Sequence, residues 1–168
     1  GPSEDAVLSL ELMQREGEVP DSFTFTHCLK ACSNISSISD GHYIHAQIVA
    51  RGLEIDPFVG NTLVDMYIKC EHFLEAENML DELSIKDLLS WTMLIVGYVQ
   101  NGHCEEALDH FEQMEQENIA VGTVTFVCIL RACGIAGASV KGRAIHIEIV
   151  KKGLDSELIG LNTLLDMY

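Results

Sequence analysis

Apolar residues along this chain fall at helical rather than alternating spacing, in blocks interrupted by glycines and polar turns. "FTFTHCLKACSN" at 23–34 and "VTFVCILRACGI" at 124–135 each open such a block. A second stretch follows each of them. It carries Gly41-His42-Tyr43-Ile44-His45 in one case and Gly142-Arg143-Ala144-Ile145-His146 in the other, with Gly52 or Gly153 as the stop. Each pair of stretches predicts a helical hairpin. "FVGNTLVDMYIKC" with the amphipathic "LEAENMLDEL" at 74–83 predicts another, and "LSWTMLIVGYVQNG" with "EEALDHFEQMEQEN" a third, turned at Asn101-Gly102. Glu4–Arg15 reads as the second helix of a hairpin whose first helix lies upstream.

The hairpins are written twice. Residues 22–67 superpose on 123–168 without a gap, matching Phe25 to Phe126, Cys32 to Cys133, His45 to His146 and Asn61 to Asn162. "NTLVDMY" at 61–67 returns as "NTLLDMY" at 162–168, and chance does not hold one register over that length. A single hairpin cannot bury its own apolar face, so neighbours must stack into a superhelical solenoid, first helices on one surface and second helices on the other. Leu63, Met66 and Tyr67 are then stacking residues, while Trp91, Tyr98, Phe111 and the equivalent Cys32 and Cys133 read as core.

Composition narrows the function. Nearly half of the 168 residues are apolar, enough for a sizeable core, and no apolar run reaches the roughly 18–20 residues of a bilayer span. Gly1-Pro2-Ser3 reads as the remnant of a cleaved tag on an excised piece of a longer chain, so a targeting segment would not be visible. The six cysteines lack a secreted-type spacing and are expected as free thiols. The formal charge of -16 opposes nonspecific binding of polyphosphate. Yet the first helices carry Lys30, Lys69 and Arg131 against Asp65 and Asp166, so the acid excess belongs to second helices, loops and the opening segment. One surface is close to neutral, and the acidic field around it predicts weak nucleic-acid affinity, weakest where salt screens least.

The wording of these segments resembles a known family. "PDSFTFTHCLKAC", "GHYIHAQIVARGLEIDPFVGNTLVDMYIKC" and "LLSWTMLIVGYVQNGHCEEALDHFEQM" resemble the L, S and P motifs of plant PLS-type pentatricopeptide repeat proteins, whose 35-, 31- and 35-residue units sum to the 101-residue offset. The resemblance implies an all-α, right-handed superhelical α-solenoid of helix-turn-helix repeats. It divides the chain into a tag remnant at 1–3, the second helix of a P motif at 4–21, an L motif at 22–56, an S motif at 57–87, a P motif at 88–122, an L motif at 123–157 and the first helix of an S motif at 158–168.

What the family does is then an expectation for this chain: single-stranded RNA read one base per repeat. The resemblance implies that a motif's fifth and last residues address the base and that the second residues of adjacent motifs sandwich it. The reading pairs are Asn61 with Asp87, Thr26 with Asp56, Thr92 with Gly122 and Val127 with Glu157, and Asn162 opens another. The sandwiching residues are Phe23, Phe58, Leu89, Val124 and Ile159. Asn61 with Asp87 is the clearest pair, of the type that prefers uridine over cytidine. An amide donates and accepts, so it can address the mixed edge of a pyrimidine, and a carboxylate beside it can fix its orientation. Thr26 with Asp56 is a guanine-type pair, Gly122 supplies no side chain, and Val127 is apolar where hydrogen bonding is needed.

Other constellations carry less. His42 and His45 stand a turn apart, but only His45 recurs, so surface and packing roles outweigh a metal site. Glu105-Glu106 suits a helix start better than a catalytic pair. No catalytic set, metal or cofactor is expected, and the H-x-E with P-C-x-x-C signature of zinc deaminases is missing from these residues. The resemblance implies an RNA-recognition piece of an organellar C-to-U editing factor, mitochondrial or chloroplastic. The alternative is a scaffold that holds an editing-cofactor protein through L motifs and acidic faces. Dimerisation through the cut ends of the solenoid stays open.

Overall fold

The computed structural model describes residues 1–83 and 86–154. The expected sites at Glu157, Ile159 and Asn162 lie outside them. Nine α-helices and no strand occur among the described residues. They fall into two compact units, residues 1–86 and residues 87 onward.

The first unit holds α1 (Pro2–Arg15), α2 (Ser22–Asn34), α3 (Ile38–Val49), α4 (Pro57–Lys69) and α5 (Phe73–Glu82). Here α2 pairs with α3 and α4 with α5, while α2 packs along α4 and α1 touches α3. First helices therefore lie against first helices and second against second. The inner position of α4 shows in its burial: Val59, Leu63, Val64, Met66 and Tyr67 are all covered. Each such side chain contributes roughly 1.5–3 kcal/mol relative to exposure. Close approach is possible because Gly41 of α3 has no Cβ, which would sit 2.6 Å from Met66 Sδ.

The second unit repeats the plan with α6 (Leu88–Gln100), α7 (Cys104–Gln116), α8 (Thr123–Ile135) and α9 (Ser139–Lys151). Its hairpins are α6 with α7 and α8 with α9, and α6 packs along α8. Trp91, Leu94, Ile95 and Tyr98 bury one side of α6, and Ala107, Leu108, Phe111 and Met114 form the apolar stripe of α7. The acidic residues of α7 occupy its other side, as amphipathic spacing requires.

Every hairpin turns by one device. The residue after each first helix's cap takes positive φ at Ser36, Glu71, Gly102 and Gly137. The next amide then reaches back to the helix: Ser37 N to Cys32 O at 3.0 Å, His72 N to Tyr67 O at 2.8 Å, His103 N to Tyr98 O at 2.9 Å, and Ala138 N to Cys133 O at 2.9 Å. These bonds satisfy carbonyls the helix end would otherwise orphan. The stops after second helices use the same geometry at Gly17, Gly52, Asn118 and Gly153. By contrast α5 is ten residues long, where α3 has twelve, and ends on an extended Leu83.

Candidate functional site

The first helices begin at Ser22, Pro57, Leu88 and Thr123, each preceded by a residue with extended backbone at the cap: Asp21, Asp56, Asp87 and Gly122. The three aspartates accept hydrogen bonds from the first turn. Asp21 Oδ1 accepts from the amide and hydroxyl of Thr24 at 2.8 Å each. Asp56 Oδ1 accepts from the amides of Phe58 at 2.9 Å and Val59 at 3.1 Å. Asp87 Oδ1 accepts from the Ser90 amide at 3.0 Å and its buried hydroxyl at 2.9 Å. Hydrogen bonding from the Ser90 amide holds the Asp87 carboxyl below its ordinary range, and the Thr24 amide does the same for Asp21. An aspartate at this position thus starts a helix whatever else it does. The D-x-x-T and D-x-x-S wording at 21–24 and 87–90 carried that signal, yet the sequence reading gave Asp87 only an orienting role.

The second residue of each first helix is the next element. Phe23, Phe58, Leu89 and Val124 are 69%, 56%, 56% and 45% exposed, although each of these helices buries most of its other apolar residues. Recurrence at one helical position in both units distinguishes them from scattered surface apolar residues, which need no explanation. The ring of Phe23 lies 5.3 Å from that of the exposed His27, one turn along α2. Lys30 Nζ sits 5.8 Å from the centre of the Phe58 ring. The sequence reading noted Lys30 only as a charge, because its neighbour is 28 residues away in the chain and becomes adjacent only when α2 packs on α4.

The fifth residues differ among themselves. Asn61 is half-buried on α4, whereas Thr26 is buried and its hydroxyl donates to the Phe23 carbonyl at 2.9 Å. Thr92 pairs its hydroxyl with that of buried Thr125 across α6 and α8 at 2.8 Å, and Val127 is buried in α8. In the first unit Phe23, Thr26, Asp56 and Phe58 occupy the starts of the adjacent helices α2 and α4. In the second, Leu89, Thr92, Gly122 and Val124 occupy the starts of α6 and α8. Asn61 belongs to the first unit, and Asp87 opens the second.

The remaining candidates are packing groups. His45 Nδ1 lies 2.6 Å from Tyr67 Oη, joining α3 to α4, and burial lowers the pKa of His45 while raising that of Tyr67 to about 12. The cysteines are free thiols; Cys28, Cys32, Cys128 and Cys133 are buried, and burial raises the pKa of each. No group of three or more histidine, cysteine or acidic side chains able to hold a metal ion occurs among the described residues. No helix there is long and apolar enough to cross a membrane.

Comparison with known proteins agrees with this architecture. A model described as the PPR repeat family matches residues 86–134, and a PPR repeat model matches residues 61–88. A pentatricopeptide repeat-containing protein of Arabidopsis thaliana is 39% identical over 96% of this chain and 24% of its own length. A mitochondrial one from the same plant is 37% identical over 98% of this chain and 18% of its length, and a chloroplastic one 37% identical over 100% and 31%. The chain therefore spans under a third of the length of these relatives. Among solved structures, maize PPR10 aligns with a TM-score of 0.73 at 23% identity, covering 91% of this chain and 22% of that one. PPR10 in complex with an 18-nucleotide psaJ RNA element aligns at 0.71 and 25% identity, covering 88% and 22%.

Proposed function

Because the chain belongs to the pentatricopeptide repeat family, we propose that it recognises single-stranded RNA at the starts of its first helices, one nucleotide per repeat. The observation that carries the reading is the recurrence of exposed Phe23, Phe58, Leu89 and Val124 at one position of successive first helices. Apolar groups spaced by repeats suit bases in series: the rings of Phe23 and Phe58 can stack on a base face, and the aliphatic Leu89 and Val124 can pack against one. Whereas Thr26 and Thr92 bond within the protein, Val127 is apolar and Gly122 lacks a side chain, Asn61 carries an amide that can both donate and accept. This is what discrimination needs, because stacking tolerates any base. The solved complex of PPR10 with an RNA element supports RNA binding by similarity.

On this reading Asn61 addresses the Watson–Crick edge of a pyrimidine, with Asp87 as the last residue of its motif. The capping bonds of Asp87 engage Oδ1. The motif boundaries at 22–56, 57–87, 88–122 and 123–157, alternating as L, S, P and L, are part of the same proposal. They make the chain a segment of an organellar factor that specifies C-to-U editing sites, in mitochondrion or chloroplast as in the relatives named for those organelles. The acidic outer side of α7 favours an additional role, docking a basic partner protein away from the RNA.

The test is a titration of fluorescent RNAs that differ at one base, at fixed salt, with wild type and Asn61→Ala. The reading expects uridine to bind more tightly than guanosine in wild type and the preference to vanish in the variant. Equal affinities in wild type, unchanged by the substitution, would sink it.

A further inference from the structure

The site at the start of α4 is met by a cation from α2 that the base-reading scheme does not use. Lys30 is exposed on α2, and its ammonium lies over the exposed Phe58 ring at 5.8 Å from the centroid. Its situation differs from that of four other lysines. Lys69 holds Asp65, Lys86 holds Asp81, Lys141 holds Glu112 and Lys152 holds Glu148, whereas Lys30 holds no carboxylate among the described residues. In a chain with a formal charge of -16, Lys30 places on the near-neutral surface a cation that is tied to an aromatic ring and not to a carboxylate. The equivalent position one repeat set later again carries an exposed cation, Arg131.

The contact is weak enough to exchange. A cation over an exposed phenyl face gains little, because water competes for the ammonium. Lys30 reaches Phe58 from α2, which is the side on which a base held between Phe23 and Phe58 would lie. An ammonium and a base cannot both cover that face. The stem of Lys30 is long and flexible, and a nucleotide entering the site brings a phosphate next to its base. We propose that Lys30 covers Phe58 in the free protein and, as a nucleotide stacks there, swings off the ring to pair with the adjacent RNA phosphate. The exchange replaces one weak cation contact by a charge-assisted hydrogen bond. It gives the acidic chain a local phosphate anchor at its most aromatic site. The role is positional and independent of base identity, since phosphate contacts carry no sequence information.

This inference rests on the RNA-binding reading, and the experiment separates the two. Single-stranded RNA is titrated by fluorescence anisotropy between about 50 and 200 mM salt, a range over which counterion release is large, using wild type, Lys30→Gln and Lys30→Arg. Losing one phosphate contact from a single strand should lower the slope of log K against log salt by about 0.7. Lys30→Gln is expected to show that drop and to weaken binding of all four bases alike, with Lys30→Arg restoring both. A wild-type slope in Lys30→Gln, or tighter binding at every salt, would mean that the ammonium only obstructs the ring, and would overturn the phosphate role while leaving the reading of RNA intact. Absence of RNA binding by the wild-type chain would overturn both.

Discussion

The sites in the two units are built on one backbone plan and furnished differently. On α2 and at the start of α4 stand two phenyl rings, a cation and the capping carboxylate of Asp56. At the starts of α6 and α8 stand two aliphatic side chains and the capping glycine Gly122, and the Thr92 hydroxyl is already paired with Thr125. Both backbones enter the first helix from an extended cap, and both leave it through a left-handed residue. On the proposed reading, fold and recognition draw only partly on separate residues of the same turn, since Asp56 caps a helix and is also the last residue of its motif. Core positions, caps and stops hold the hairpins together, while the exposed second residue can be exchanged with little effect on packing.

The largest expected effect breaks this comparison at its aromatic member. Phe58→Ala should cost about 1–3 kcal/mol of RNA binding, the range for loss of a stacking ring, and leave the unfolding midpoint in urea nearly unchanged because Phe58 is exposed. Leu89→Ala in the second unit should cost less RNA affinity, since no π-face is lost. Equal losses at the two positions, measured by anisotropy at one salt concentration, would remove the distinction between the sites.

Next in size are the turns. The left-handed position is filled by Ser36 and Glu71 in the first unit and by Gly102 and Gly137 in the second. A Cβ in that conformation costs on the order of 1–2 kcal/mol. Gly137→Ala should therefore destabilise by about that amount, while Glu71→Gly should stabilise by somewhat less, because glycine also loses more backbone freedom on folding. Urea denaturation followed by circular dichroism checks the opposite signs.

A smaller effect separates capping from reading at Asp87. Asp87→Ala should lower stability by about 1 kcal/mol through loss of the cap, whether or not RNA is present. The folded Asp87 carboxyl is held below its ordinary range by the Ser90 amide. Its contribution is therefore complete above the unfolded carboxyl pKa and is lost as pH falls through the lower folded value. Asp87→Asn keeps a capping oxygen and should remove this part of the acid dependence. Thermal unfolding at pH 7 and at about pH 3, below the ordinary aspartate pKa near 3.9, distinguishes the three proteins.

The sequence announced the hairpins because their apolar stripes, Gly stops and gap-free self-superposition are local or periodic signals. The buried run of α4 and the glycine at 102 fell where that pattern required. Ser36 and Glu71 in left-handed turns were not legible, since neither residue type advertises positive φ. Nor were the pairing of Thr92 with Thr125 and the placement of Lys30 on Phe58. Each joins residues of two different repeats, and only helix packing brings them together. The capping role of Asp21 and Asp87 was written in plain view, three residues before a threonine or serine, but at Asp87 the recognition reading of the same carboxylate displaced it.

The central claim is that the fifth residue of a repeat chooses the base, and an exchange at Asn61 tests it most directly. Asn61→Thr gives that repeat the guanine-type pair already present as Thr26 with Asp56, without touching the cap or the stacking residues. Affinities are measured for RNAs carrying uridine or guanosine at one position. The account predicts that wild type prefers uridine and that Asn61→Thr prefers guanosine, with folding unchanged by circular dichroism. An unchanged preference in the variant, or no preference in either protein, would contradict it.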